Sequence, residues 1–197
     1  SNALDREVQD VYYVTVLARD KGSPPMSCDA TVTIYIDDIN DHSPRFTQKV
    51  YATKISESVA KGEAVARVVA VDNDVGFNAK LTFSLAESNR QHFYIVSDDF
   101  MNDTGVGVVS VGGILDREAV PSHRLHILAI DEGTPRLTGT GTLIINLLDV
   151  NDNAPTLANQ HIPIILYENQ FPNRPVSEVS AHDRDTLTNG PPFEFWV

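Results

Sequence analysis

Asp38-Ile39-Asn40-Asp41-His42-Ser43-Pro44 returns 111 positions later as Asp149-Val150-Asn151-Asp152-Asn153-Ala154-Pro155. The same step carries Asp5 to Asp116, Glu7 to Glu118, Asp20 to Asp131, Glu57 to Glu168, Asp72 to Asp183 and Asp74 to Asp185. A register held at so many positions marks tandem copies of one structural unit. Most of the repeated positions are carboxylates, so the copies share a feature that requires oxygen donors.

Each aspartate-asparagine stretch joins two copies and ends in a proline that stiffens the join. The 197 residues are therefore expected to hold one complete unit at 43–153, the C-terminal part of a unit at 4–42 and the N-terminal part of another at 154–197. Ser1, Asn2 and Ala3 are read as a remnant of expression and set aside. Leu4-Asp5-Arg6-Glu7 recurs as Leu115-Asp116-Arg117-Glu118 late in the full unit. The chain is thus expected to open partway through one unit and to stop, at Trp196-Val197, partway through another.

Short runs of alternating or β-branched residues fill the full unit: 50–55, 64–71, 80–85, 93–96, 106–111, 124–130 and 138–148. Gly, Pro, Asn and Asp separate them, and no long stretch keeps a helical period. About seven short strands per hundred residues is the pattern of an antiparallel β-sandwich. The two-residue period places Leu143, Ile145 and Leu147, and before them Leu125, Ile127 and Ala129, on the core side. In the first fragment Val14, Val16 and Ala18 match them, as do Val32, Ile34 and Ile36, on strands expected at 11–19 and 30–37. Trp196 is likewise expected in a core. Two strands alone are marginal in water, so the partial units are expected to pair between molecules or to be held by crystal contacts.

With 27 Asp and Glu against 15 Lys and Arg, the net charge of -12 argues against nucleic acid, whose phosphates require basic partners. One cysteine, Cys28, cannot form an internal disulfide and reads as the start of a half-buried strand. No apolar run reaches membrane-spanning length and no signal peptide is present, so a membrane anchor is expected outside this fragment.

Asp5 and Glu7 stand two residues apart, as do Asp116 and Glu118, Asp72 and Asp74, and Asp183 and Asp185. In extended chain each pair points to one side, where both members can address the same cations. Carboxylate, amide and carbonyl oxygens are what Ca2+ takes, six to eight at a time, whereas zinc requires His and Cys at ligand spacing and Mg2+ favours rigid octahedral sites rich in water. An EF-hand fails on position: counted from Asp72, Gly76 and Phe83 stand at the fifth and twelfth places, where ligands belong. Counted from Asp183, Leu187 and Thr188 stand where a ligand and a glycine belong. Any calcium site is therefore assembled from separate parts of the chain.

Leu-Asp-Arg-Glu, Ala18-Arg19-Asp20-Lys21-Gly22 with Ala129-Ile130-Asp131-Glu132-Gly133, Asp72-Asn73-Asp74-Val75-Gly76-Phe77-Asn78 and the Asn-Asp joins together resemble the extracellular repeats of cadherins. The resemblance covers the whole chain beyond Ala3. It implies an all-β fold of tandem seven-stranded Greek-key sandwiches, one complete and two partial, with three calcium ions between successive repeats. Carried over by position, it implies a first junction of Asp5, Glu7, Asn40, Asp41, the His42 carbonyl, Asp72, Asp74, Asn78 and Asp131. The second would use Glu57, Asp116, Glu118, the Val150 and Asn153 carbonyls, Asn151, Asp152, Asp183, Asp185 and Asn189. The first lacks a counterpart of Glu57 and the second a counterpart of Asp131. Filling is accordingly expected first at Asn40, Asp72, Asp74, Asn78 and Asp131 in the one, and around Glu57 and Glu118 in the other. Leu187 replaces the glycine at position 76, and Pro191-Pro192 follow, so this loop of the third repeat is expected to be reshaped.

The joins look most like those of protocadherin, Fat and Dachsous-like members, and nothing matches the N-terminal tryptophan of strand-swapping cadherins. The resemblance implies a calcium-stiffened segment of a cell-adhesion ectodomain on the extracellular face of the plasma membrane, whose partners are cadherin ectodomains on the same or the opposing cell. The alternative is a heterophilic recognition segment whose exposed repeat face binds another ectodomain. Catalysis ranks below both: no nucleophile elbow, zincin helix or phosphate loop accompanies the carboxylates. Asn102-Asp103-Thr104 fits an N-glycosylation sequon. The outward row Thr138, Thr140, Thr142 resembles the O-mannosylated strands of cadherins and is equally explained by β-propensity.

Overall fold

The structure is a computed structural model and describes residues 4–86, 91–98, 104–169, 175–186 and 188–196. Among these residues every regular element is a strand. The complete repeat contains β3 (Arg45–Phe46), β4 (Val50–Ser56), β5 (Ala64–Val71), β6 (Leu81–Leu85), β7 (Phe93–Asp98), β8 (Thr104–Val111), β9 (Ser122–Asp131) and β10 (Thr138–Leu148). They form two four-stranded sheets, in the orders β4-β10-β9-β6 and β3-β5-β8-β7. β4 runs parallel to β10 and the remaining pairs are antiparallel. The first strand of the sandwich is split: β3 joins one sheet and β4 crosses to the other, so eight segments make a seven-stranded design. The two-residue β3 carries too little pattern to stand out in sequence.

Alternation determines the core. Leu125, Ile127 and Ala129 on β9 and Leu143, Ile145 and Leu147 on β10 face Val68 and Ala70 on β5, Phe93 on β7 and Val109 and Val111 on β8. Burying each larger aliphatic side chain contributes about 1.5–3 kcal/mol. Gly105 and Gly107 let β8 approach the other sheet closely, since a Cβ there would lie 2.8 Å from the Leu81 Cβ or 2.9 Å from the Phe83 ring. Phe46 stands edge-on to both Tyr51 and Phe83. The Tyr51 hydroxyl reaches across to β5, donating to the Val69 carbonyl at 2.9 Å and accepting from its N–H at 3.2 Å. That exchange pins one edge of the sandwich.

The flanking pieces repeat parts of this plan. β1 (Val11–Arg19) pairs with β2 (Ser27–Tyr35) in the register of β9 with β10: Val14 faces Val32 as Leu125 faces Leu143. β11 (Thr156–Leu157) pairs with β12 (Ala181–His182) as β3 pairs with β5. The expectation of a core in the first fragment is not met. Val14 and Val16 are 44% and 52% exposed where Leu125 and Ile127 are fully covered, because among the described residues no second sheet faces the β1–β2 hairpin. Val32, Ile34 and Cys28 are exposed for the same reason, and so is Trp196. Residues 161–167, the counterpart of β4, form no strand.

Candidate metal centre

At the first seam the join between β2 and β3 runs beneath the loop that follows β5. Asp74 is fully buried, Asp131 and Asp72 nearly so, and Asn40 is buried among them. The Asn40 amide donates to Asp131 Oδ1 at 3.2 Å and to the Pro135 carbonyl at 2.5 Å, which points its Oδ1 the other way. That oxygen accepts no hydrogen bond, and neither does Asp72 Oδ2. Each such buried orphan costs about 1–3 kcal/mol unless something else satisfies it. Asp72 Oδ1 accepts from the Asp74 N–H at 3.1 Å, the local turn that sets both carboxylates on one side. Across the seam Glu7, Asp38 and Asp74 bring one oxygen each within 4.8 Å of one another. Glu7, Asp41 and the His42 ring do the same.

The second seam is built likewise from the loop before β9, the join after β10 and the loop after β12. Glu57, Asp116 and Glu118 form one oxygen cluster, and Glu118, Asp149 and Asp185 another. Glu57 is buried, accepting from the Arg117 N–H at 2.6 Å and the Val150 N–H at 2.9 Å. Asp185 accepts from the Asn153 side-chain amide at 2.9 Å, and its own N–H donates to Asp183 Oδ1 at 2.9 Å.

The expected ligands therefore converge from three chain segments at each seam, with differences. Among the described residues Asp5 joins no oxygen cluster, although it accepts from the Val8 N–H just as Asp116, which does join one, accepts from the Ala119 N–H. Asn151 is exposed, whereas Asn40 is buried against Asp131, whose counterpart the second seam lacks. His42, expected to offer only its carbonyl, also places Nδ1 2.8 Å from Asp41 and 3.0 Å from Asp74. Asn78 and Asn189 turn their amide nitrogens to Asp38 and Asp149, both at 2.8 Å. The sequence reading assigns those two aspartates no role, although each opens a repeated join and sits inside a cluster. Asn102 and Leu187 lie outside the described residues.

The electrostatics separate two kinds of carboxyl group. Asp72 is pushed up by burial, with the charges of Asp74 and Asp131 adding to it. Glu118 and Asp152 rise for the same reasons, Glu57 being the leading charged neighbour of each. Asp149 goes the other way: burial opposes ionisation, yet bonds from Thr186, Asn189 and Arg117 bring it down to about 2. Asp38 is lowered similarly by Asn78, Val75 and Arg6 against its own burial. Hard oxygen donors, two of them orphaned and several disfavoured as free anions, suit a divalent cation with flexible oxygen coordination.

The family model described as "Cadherin domain" matches residues 51–148. Human "Protocadherin Fat 1" is 37% identical over 98% of this chain, and Drosophila melanogaster "Protein dachsous" 35% identical over 94%. This chain spans only 4% and 5% of those two proteins. Among solved structures, mouse cadherin-23 EC22-24 superimposes with a TM-score of 0.82 at 32% identity, over 96% of this chain and 58% of that one. A protocadherin gammaB7 EC3-6 cis-dimer structure does so with a TM-score of 0.79 at 29% identity, over 96% of this chain and 46% of its own. With two sheets in this order, joins repeated in register and these relatives, the chain belongs to the cadherin superfamily, as a segment of an ectodomain.

Proposed function

We propose that the chain is a calcium-stiffened rod segment of a cell-adhesion ectodomain, acting outside the cell, in which Ca2+ ties each repeat to the next. The division is at 42/43 and 153/154. Asn40, Asp41, Asp72, Asp74 and Asp131, with Glu7, would hold the ion or ions at the first seam. Glu57, Asp116, Glu118, Asp152, Asp183 and Asp185 would do so at the second. The observation that carries the reading is the pair of buried, unpartnered oxygens, Asn40 Oδ1 and Asp72 Oδ2, beside the buried carboxylates of Asp74 and Asp131. A bound divalent ion supplies the missing partner and neutralises repulsion between acids that come from both repeats. Partners of such a rod are cadherin ectodomains on the same or an opposing cell.

The test is thermal unfolding across a calcium titration, with magnesium as control. A calcium-specific rise in Tm is expected, from a stabilisation of about 2.7 kcal/mol at a hundredfold excess over Kd. The rise should shrink in Asp72→Ala and Glu118→Ala. Equal response to both metals, or none, would overturn the reading. A second reading, recognition of another ectodomain by the repeat face, is favoured by the outer side of β7, where Tyr94 and Val96 are 41% and 54% exposed. Loss of ectodomain capture in Tyr94→Ser with Tm unchanged would select it.

A further inference from the structure

Each seam also contains a positive charge that belongs to the chain itself. Arg6 Nε donates to Asp38 Oδ1 at 2.5 Å, and its Nη2 donates to Glu7 and, at 2.8 Å, to the Asn73 carbonyl of the following repeat. Arg117, 111 positions on, repeats the pattern: Nε to Asp149 Oδ1 at 2.5 Å, Nη2 to Glu118 and to the Arg184 carbonyl at 3.4 Å. One guanidinium thus touches the end of its own repeat, the join and the start of the next repeat, at two independent seams.

We propose that Arg6 and Arg117 are positioning residues that brace the repeats without calcium and set the ligand carboxylates in place before the cation arrives. The linker aspartates are the other half of the brace. Asp149 Oδ2 accepts from the Thr186 N–H at 3.1 Å, the Thr186 hydroxyl at 2.7 Å and the Asn189 amide at 2.8 Å, while Oδ1 is held by Arg117. Asp38 Oδ2 accepts from the Val75 N–H at 3.1 Å and the Asn78 amide at 2.8 Å. Saturated in this way, Asp38 and Asp149 are not ligands even though their oxygens lie within the clusters. They hold Asn78 and Asn189 by the amide nitrogen, which turns each amide oxygen away from the linker carboxylate. Holding a carboxylate at Nε and a carbonyl at Nη2 uses the planar fork of arginine; lysine carries its three donors on one nitrogen and cannot occupy both positions at once.

The proposal predicts an effect opposite in sign to plain electrostatics. If Arg117 were only a competing positive charge, removing it would tighten Ca2+ binding. As a brace, its loss should weaken binding, by about tenfold, the scale at which groups that orient metal ligands act. Calorimetric calcium titration of the full chain and its Arg117→Ala and Arg117→Lys variants reads this. Both variants should bind more weakly, lysine failing to rescue; unchanged or tighter binding by Arg117→Ala overturns the brace.

This calcium arm rests on the reading of the seams given above, so a second arm uses chelator alone. Hydrogen exchange in EDTA should find the Thr186 amide protected in the natural sequence and exchanging at least about tenfold faster in Arg117→Ala and in Asp149→Asn, with no further loss in the double variant. The Ile127 and Ile145 amides, in the core of the complete repeat, report that folding is intact. An unprotected Thr186 in the natural sequence, or exchange unchanged by Arg117→Ala, overturns the proposal whether or not calcium binds.

Discussion

Gly133 is the residue on which the first seam closes. Its N–H donates to Asp131 Oδ1 at 3.0 Å, and a Cβ in its place would run into the carboxamide of Asn40 and stand 2.8 Å from Asn78 Oδ1. Gly133→Ala therefore cannot be absorbed without moving Asn40 off Asp131. The expected cost is about 1–3 kcal/mol of overpacking, together with weaker calcium binding at the first seam and unaltered binding at the second. Calorimetry that resolves the two seams checks this, and equal weakening at both would contradict it. His123 presents a different case. It occupies an inward position of β9, against Phe93 and 5.3 Å from the His92 ring, and its Nε2 has no hydrogen-bond partner. Burial, reinforced by His92, lowers its pKa. A histidine depressed in the fold is bound by a proton more readily once unfolded, so its contribution is complete above the unfolded value near 6.5 and declines as pH falls below it. In EDTA, His123→Leu should lose less Tm than the natural sequence between pH 7.5 and 5.5. Identical slopes would remove His123 from the account. Asn40 and Asp131 were legible because they belong to repeated motifs; the His92–His123 contact was not, since only the pairing of the two sheets brings those residues together.

At the scale of elements, one pattern yields two outcomes. Val14 and Leu125 occupy the same place in the repeat, as do Val32 and Leu143, yet only the latter of each pair is covered. Strand positions are written in the two-residue period, and the expected ranges match the strands of the complete repeat other than β3 to within two residues at their ends. Whether a face is buried is not written there, because it depends on a second sheet. Trp196 illustrates the point: its apolar character suggested a core, and it stands 87% exposed because nothing opposes it. Residues 161–167 likewise carry the composition of β4 without its pairing. Leu125→Ala should therefore cost about 2–5 kcal/mol, while Val14→Ala should change stability by no more than about 0.5 kcal/mol. Hydrogen exchange should find β1 and β2 opening far more readily than β9 and β10, as a two-stranded hairpin does. Equal protection of the two pairs would mean that the hairpin has acquired a covering surface, and a second copy of the chain is then the first occupant to test by light scattering.

Taken whole, the molecule gathers a large part of its -12 net charge at two seams, and this sets the sign of its response to salt. In chelator, carboxylates from adjoining repeats repel one another across each seam, opposed by the guanidinium of Arg6 or Arg117. Added NaCl shortens the screening length from about 10 Å at 0.1 M to about 3 Å at 1 M, so the exposed members, such as Asp41 and Asp152, should repel less and Tm should rise. With calcium present the same screening weakens attraction between the cation and those oxygens, so Tm should fall. Shifts of a few degrees are expected, since a change of about 1 kcal/mol moves the Tm of a domain of 60–100 residues by about 4–8 °C and the most buried groups, Asp74 and Asp131, are poorly screened. Melting at 0.02 and 0.5 M NaCl, in EDTA and in millimolar calcium, reads both signs in one experiment. A reversal between the two buffers ties the acidic excess to cation binding at the seams. Shifts in the same direction in both would make the charge an ordinary solvated surface and leave the repeats joined by the arginine braces and the stiff linkers alone.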